Sequence, residues 1–337
     1  MITCNIKRIN GFLRPEFHGG NMSFKIAGTG SYVPERVVTN DELSKYVDTS
    51  DEWIKQRIGI SERHISTNET AGEMGYRASL SALESAGCDA AELDLIIGAT
   101  VSGEDVSPSV SCTVQHMLGI NCMAFDINAA CSAFIFLLDV ADGFIKKGFK
   151  KILIVGAERL SRIVDWTDRS TCVIFGDGAG AAVLEPGENY ISSVFHVKGG
   201  DEVLKIGSSH GNSPFFTRDT IKPYITMNGQ ETFKFAVNSI CADTHEILEK
   251  AGVTLDDIAY IVPHQANARI IDFAAKRMGI PKEKFFRNIE RYGNTSSASI
   301  PIALSEMNSA GLIKRGDLLV LSAFGAGLAS AACLIKW

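Results

Sequence analysis

The chain has 337 residues, 45% of them hydrophobic and 21% charged, with a formal net charge of −6. Such a chain has room for two ordinary domains or one large α/β body, and its composition excludes intrinsic disorder. The acidic balance implies no bulk attraction to nucleic acid or anionic membrane, and no apolar run reaches the roughly 20 residues that span a bilayer.

In chain order, residues 1–21 lack the apolar core of a signal peptide and read as a loosely held extension. The regular pattern begins at Met22-Ser23-Phe24-Lys25-Ile26. The stretch around Trp53 reads as an amphipathic helix capped by Thr49 and Glu52. MGYRASLSALES (74–85) reads as a second helix, followed by a glycine stop and a buried β-rich run in AGCDAAELDLII (86–97). The same order returns half a chain later, with AVNSICADTHEILEK (236–250) followed by AGVTLDDIAYIV (251–262). A second echo links Phe175-Gly-Asp-Gly-Ala-Gly to Phe324-Gly-Ala-Gly-Leu-Ala, each a glycine turn entering a buried strand.

Two echoes in one order indicate a duplication, with halves 22–188 and 189–337 meeting near Glu185-Pro186-Gly187-Glu188. The runs LDLIIGAT, KKILIVGAE, DIAYIVPH and GDLLVLSAF do not alternate, which suits strands covered on both faces and an α/β architecture of layered sheets and helices.

Eight cysteines, at 4, 88, 112, 122, 131, 172, 241 and 333, form no CxxC pair and no zinc-ligand spacing. They read as reduced cytosolic thiols, and all but Cys131 as small buried hydrophobes. Cys131 differs because it follows a strand and opens an apolar helix, where the helix dipole lowers a thiol pKa. His264 and Asn294 also sit where a strand or glycine loop hands over to a helix N-terminus. Each taken singly has a bland reading, as a core histidine or a capping asparagine. In α/β sheets, however, such ends gather on one side. Gly325-Ala326-Gly327 adds a loop whose backbone N–H groups suit an oxyanion.

DINAACSA, PHQAN and GNTSSASIP, in that order, resemble the active-site motifs of the β-ketoacyl-acyl-carrier-protein synthase III family. So do TSDEWIKQRIGISERHI (49–65), DWTDRSTCVIFGDGAGAAVL (165–184), ITMNGQETFKFAV (225–237) and AFGAGLAS (323–330). The similarity runs from about residue 24 to the C-terminus. It implies a thiolase-like fold of duplicated halves in an αβαβα body. It also implies a ping-pong reaction in which Cys131 takes an acyl group from acyl-CoA and then yields it to a decarboxylating malonyl-carrier protein. His264 and Asn294 would donate to the enolate, and the backbones of Cys131 and Ala326 would form the oxyanion hole.

By the same resemblance, Trp53, Arg57, Arg169 and Asn267 would bind CoA and pantetheine, and Ser107, Phe175 and Phe324 would border the acyl pocket. Residues 269–291 carry seven basic against three acidic side chains, and Arg269, Lys276 and Arg277 would dock the acidic carrier protein. A homodimer without metal or cofactor is implied, tolerant of primers longer or more branched than acetyl. A degradative thiolase is disfavoured because the last glycine loop holds no cysteine. A relative serving a secondary-metabolite (polyketide) pathway and a non-catalytic acyl-CoA binder stay open as alternatives.

Overall fold

The computed structural model describes residues 22–207, 215 and 223–337, so the segment read as a loose extension lies outside the described residues. The first half runs β1 (Ser23–Tyr32), β2 (Val37–Thr39), α1 (Asn40–Leu43), α2 (Asp51–Arg57), β3 (Glu62–His64) and α3 (Ala71–Ala86). It continues with β4 (Leu95–Ala99), α4 (Val110–Leu118), β5 (Met123–Ile127), α5 (Ala133–Lys146), β6 (Ile152–Arg159) and β7 (Asp177–Gly187). The second half runs β8 (Tyr190–Gly200), β9 (Leu204–Ile206), β10 (Ile225–Met227), α6 (Gly229–Ala251), β11 (Ile258–Pro263) and α7 (Ala268–Met278). It ends with α8 (Ile289–Tyr292), α9 (Ser299–Ser309), β12 (Leu318–Gly325) and β13 (Gly327–Lys336).

Local signals account for the helix ends. Thr70 and Glu73 form a capping box at the start of α3, and Gly87 closes that helix in the left-handed conformation. Asn228 caps α6, and Gly252 ends it in the same way. At α2 the cap is Ser50, whose Oγ accepts from Trp53 N at 3.1 Å, rather than the expected Thr49. Thr49 Oγ1 is buried without a partner. The two hydroxyls are adjacent in sequence, and only the backbone path decides which one meets the third N–H.

The first sheet has the order β1-β7-β6-β4-β5 and the second β11-β12-β13-β8. In each half a parallel pair (β4–β6, β11–β12) is followed by two antiparallel ones (β6–β7–β1, β12–β13–β8). The counterpart of β5 in the second half shrinks to one parallel bridge, Ile261 with Phe285. Helices α5 and α9 lie between the sheets in one core that joins Phe134, Leu137 and Leu138 to Ile300, Leu304, Ile154 and Leu321. Each such side chain contributes about 1.5–3 kcal/mol by leaving water. Helices α3 and α4 cover the outer face of the first sheet, and α6 and α7 that of the second. The layering is αβαβα with duplicated halves, as the sequence led us to expect. Among the described residues no helix is long and apolar enough to cross a membrane.

Candidate active site

The parallel strands β5 and β11 end on the same side as the 294–298 turn and the β12–β13 turn. There a cavity of about 250 Å³ is lined by Cys131, His264, Asn294, Ser296, Phe324 and Ala326, among others. Cys131 belongs to the 3₁₀ turn Ala130–Ser132 that precedes α5. Asn128 Oδ1 accepts from Ala130 N at 3.2 Å, and Ala130 takes a positive φ of 46°, which turns the chain sharply into the helix. Gly325 lies directly against this turn: a Cβ there would stand 2.9 Å from Cys131 N. Only glycine allows β12 to approach the cysteine backbone so closely.

The expected thiol acidity is reversed. Burial pushes the Cys131 thiol up to about 12, with Ser296 pulling it down and the Glu158 charge adding to the rise. A helix N-terminus stabilises a negative charge by about 2 kcal/mol at most, less than burial costs the thiolate here. Burial therefore favours the neutral thiol in the resting site.

His264 follows β11. Its backbone N–H donates to Ser322 O at 2.7 Å, and its ring stands edge-on to Phe324 with centroids 5.3 Å apart. Ser299 Oγ lies 2.7 Å from Nδ1. Burial lowers the His264 pKa to about 3, because the charged imidazolium loses its hydration. Asn294 is held by backbone bonds from its N–H to Ile174 O (2.9 Å) and from Gly176 N to its carbonyl (3.0 Å). Its side-chain Oδ1 accepts from Ser296 N at 2.8 Å, which leaves the Nδ2 donor for the cavity. The three polar residues thus present a neutral thiol, a neutral imidazole and an amide to one enclosed space.

The other residues singled out in the sequence divide into two groups. Trp53, Asn267, Phe175, Phe324 and Ala326 line the cavity. Arg169 does not line it but stacks its guanidinium 5.4 Å from the Trp53 ring centroid and donates to Asp48 O at 2.9 Å. Arg57 also lies outside the lining and reaches the site through its carbonyl, which accepts from Asn267 Nδ2 at 3.3 Å. Asn267 at the same time caps α7, its Oδ1 accepting from Arg269 N at 2.9 Å. Ser107 is exposed in the loop before α4 and does not line the cavity of its own chain.

Four of the seven basic residues in 269–291 are tied to carboxylates or backbone carbonyls. Lys282 and Arg287 pair with Asp272, Arg287 also with Glu290, and Arg291 with Glu306. Lys284 donates to Leu255 O and Ile258 O. Arg269, Lys276 and Arg277 remain along α7. Arg269 stacks over Phe233, and Arg277 donates to Asn238.

Sequence reading assigned no role to the far wall of the cavity, formed by Leu204, Ile206, Ile225 and Met227 of β9 and β10 with Phe233 and Phe235 of α6. The FKF pattern in 233–235 was the available signal.

A family profile described as 3-oxoacyl-[acyl-carrier-protein] synthase III matches residues 125–201, and its C-terminal counterpart matches 248–337. The chain is 48% identical over 321 residues to the β-ketoacyl-[acyl-carrier-protein] synthase III of Clostridium acetobutylicum, covering 94% of this chain and 99% of that one. The crystal structure of 3-oxoacyl-[acyl-carrier-protein] synthase III from Aquifex aeolicus superposes with a TM-score of 0.87 at 48% identity, covering 93% of this chain and all of that one. The Thermus thermophilus structure gives 0.87 at 43% identity, covering 93% and 98%. With its motifs, its duplicated αβαβα layers and these likenesses in agreement, the chain belongs to the β-ketoacyl-[acyl-carrier-protein] synthase III family of condensing acyltransferases.

Proposed function

We propose that this protein condenses an acyl-CoA primer with malonyl-acyl-carrier protein, releasing CoA and CO₂ and giving β-ketoacyl-carrier protein. This is the step that initiates fatty-acid synthesis. The observation that carries the reading is the convergence of Cys131, His264 and Asn294 on one cavity, with His264 Nδ1 and Asn294 Oδ1 both tied back into the protein.

In the first half-reaction Cys131 attacks the acyl thioester, and the backbone N–H groups of Cys131 and Ala326 stabilise the oxyanion. In the second, malonyl thioester loses CO₂ while His264 Nε2 and Asn294 Nδ2 donate to the developing enolate oxygen. The enolate carbon then attacks the acyl group on Cys131. Fixed neutral donors in a water-poor cavity are worth about 3–4 kcal/mol of barrier each. No cofactor takes part, since acyl-CoA is a substrate.

Trp53 and Arg169 would hold the nucleotide end of CoA at the mouth, and Asn267 the pantetheine arm. Arg269, Lys276 and Arg277 would receive the carrier protein, because α7 joins the cavity mouth to a surface carrying uncompensated cations. We assign the chain to the cytoplasm, as a homodimer. Among the described residues strand β5 pairs only with β4, and its residues are exposed or only partly buried. A second copy pairing there would cover that edge. It would also bring the exposed loop with Val106 and Ser107 toward the partner's acyl pocket.

The direct test supplies purified protein with malonyl-carrier protein and a panel of straight and branched acyl-CoAs. β-Ketoacyl-carrier protein formed by the wild type and absent with Cys131→Ala supports the reading. Acylation of Cys131 without condensation would point to a different acceptor, as in a secondary-metabolite pathway.

A further inference from the structure

Glu158 is the penultimate residue of β6, and its side chain is fully buried. None of the ion pairs found among the described residues involves it. Its neighbour Arg159 turns to Glu104, and Asp177 on the adjoining strand is taken up by Ser161 and Ser66. The carboxylate is held by neutral donors instead. Oε2 accepts from Thr100 Oγ1 (3.2 Å), Val101 N (3.0 Å) and Ser102 Oγ, and Oε1 accepts from Ser297 Oγ at 2.7 Å. Ser102 Oγ accepts from Arg159 N at 2.8 Å, so its own proton is free for Glu158. A carboxylate buried without a counter-ion binds a proton more tightly than one in water, and Glu158 is shifted in that direction.

The turn that carries Ser296 packs against both β6, which holds this carboxylate, and the Ala130–Ser132 turn, which holds the nucleophile. The 296–298 turn presses onto β6 so closely that a Cβ on Gly156 would meet Ser297 O at 2.5 Å. Ser296 takes a φ of 48° and lines the cavity. Its hydroxyl is buried without a hydrogen-bond partner among the described residues, in a turn packed on both the Cys131 turn and β6. The remaining titratable group of the triad is a poor base, since His264 is kept neutral by burial with Nδ1 engaged by Ser299.

We propose that Ser296 relays the Cys131 thiol proton to Glu158 while the enzyme takes up its acyl group. The proposal rests on the condensing reading above, in which Cys131 attacks acyl-CoA. As the Sγ–carbonyl bond forms, the thiol proton passes to Ser296 Oγ, and the Ser296 proton passes to Glu158 Oε1. When the carbonyl–sulfur bond to CoA breaks, the electron pair leaves on the CoA sulfur, and the same chain returns a proton to it. The sum is thioester exchange, with Glu158 ionised before and after.

Two readouts on the full-length protein separate a relay from a structural carboxylate. One is single-turnover transfer of labelled acyl from acyl-CoA to Cys131. The other is alkylation of Cys131 by iodoacetamide, with Cys131→Ala as the blank. Glu158→Gln keeps an oxygen for the three donors at Oε2 but cannot accept the proton. Because the Glu158 charge raises the thiol pKa, its removal speeds alkylation. The relay predicts opposite signs: alkylation severalfold faster and acylation at least about tenfold slower, as loss of a proton acceptor requires. Ser296→Ala leaves Glu158 in place and slows acylation by a similar factor, well beyond any change in its alkylation. Acylation that is unchanged or faster in both variants would overturn the relay, as would a parallel fall of both readouts. Absence of acyl transfer in the wild type would instead overturn the condensing reading, and the relay with it.

Discussion

Ser299 Oγ stands 2.7 Å from His264 Nδ1 and 3.3 Å from the backbone N of Gln265. The Gln265 N–H donates to the hydroxyl oxygen, so the hydroxyl proton is directed at the imidazole. Nδ1 then accepts, and Nε2 becomes the N–H end of the ring. That is the tautomer a donor to an enolate oxygen requires, and it is set by a serine at the first position of α9. Ser299→Ala releases the choice of tautomer. Decarboxylation of malonyl thioester should fall about tenfold, the worth of roughly one hydrogen bond. CO₂ release measured by single turnover checks this, and a wild-type rate would show that the hydroxyl does not orient the ring.

The neutral state of His264 also carries a stability consequence with a definite sign. Its folded pKa is lowered from 6.5 to about 3. Between those values the unfolded chain binds a proton that the native protein refuses. Stability therefore falls as pH drops from about 6.5 toward 3, by at most about 1.4 kcal/mol per pH unit from this group. Denaturant midpoints between pH 4 and 8 should fall more steeply with acid in the wild type than in His264→Asn. Parallel curves would mean that the imidazole is hydrated and titrates normally.

Cys131 should behave as an ordinary protonated thiol until a substrate arrives. With burial pushing it up to about 12, alkylation by iodoacetamide should rise close to tenfold per pH unit from pH 7 to 10, without a plateau. A plateau near neutrality would show instead that the helix dipole outweighs burial.

The contrast between that expectation and the one drawn from the sequence shows where sequence reading stops. The positions of Cys131, His264 and Asn294 were legible because each lies just before a helix inside a contiguous motif, the first two after a strand and Asn294 after a glycine turn that follows α8. The duplication was legible because helix, glycine stop and strand repeat in order. The thiol's environment was not legible, because it depends on Gly325 and Ser296, which arrive from more than 150 residues away. Glu158 was visible only as a charge ending the run KKILIVGAE. Its burial appears once the 296–298 turn packs onto β6. Strands β9 and β10 have three residues each, too few for a period to show, so segment 225–237 was matched as a motif without its place in the cavity wall being read.

The last prediction concerns α7, where the sequence suggested a basic patch and the fold reduces it. Lys282, Lys284, Arg287 and Arg291 are already compensated by carboxylates or carbonyls, so reversing them removes structural contacts before it touches a partner. Lys276 and Arg277 are exposed in the last turn of the helix whose N-cap, Asn267, lines the cavity. Charges at such a rim govern encounter rate and salt dependence more than turnover. The double reversal Lys276→Glu with Arg277→Glu should raise KM for malonyl-carrier protein about tenfold and flatten its dependence on ionic strength. Acylation of Cys131 by acyl-CoA, which needs no carrier protein, provides the internal control. A rise in KM shared by both substrates would indicate a disturbed α7, and an unchanged KM for the carrier would place its docking surface elsewhere.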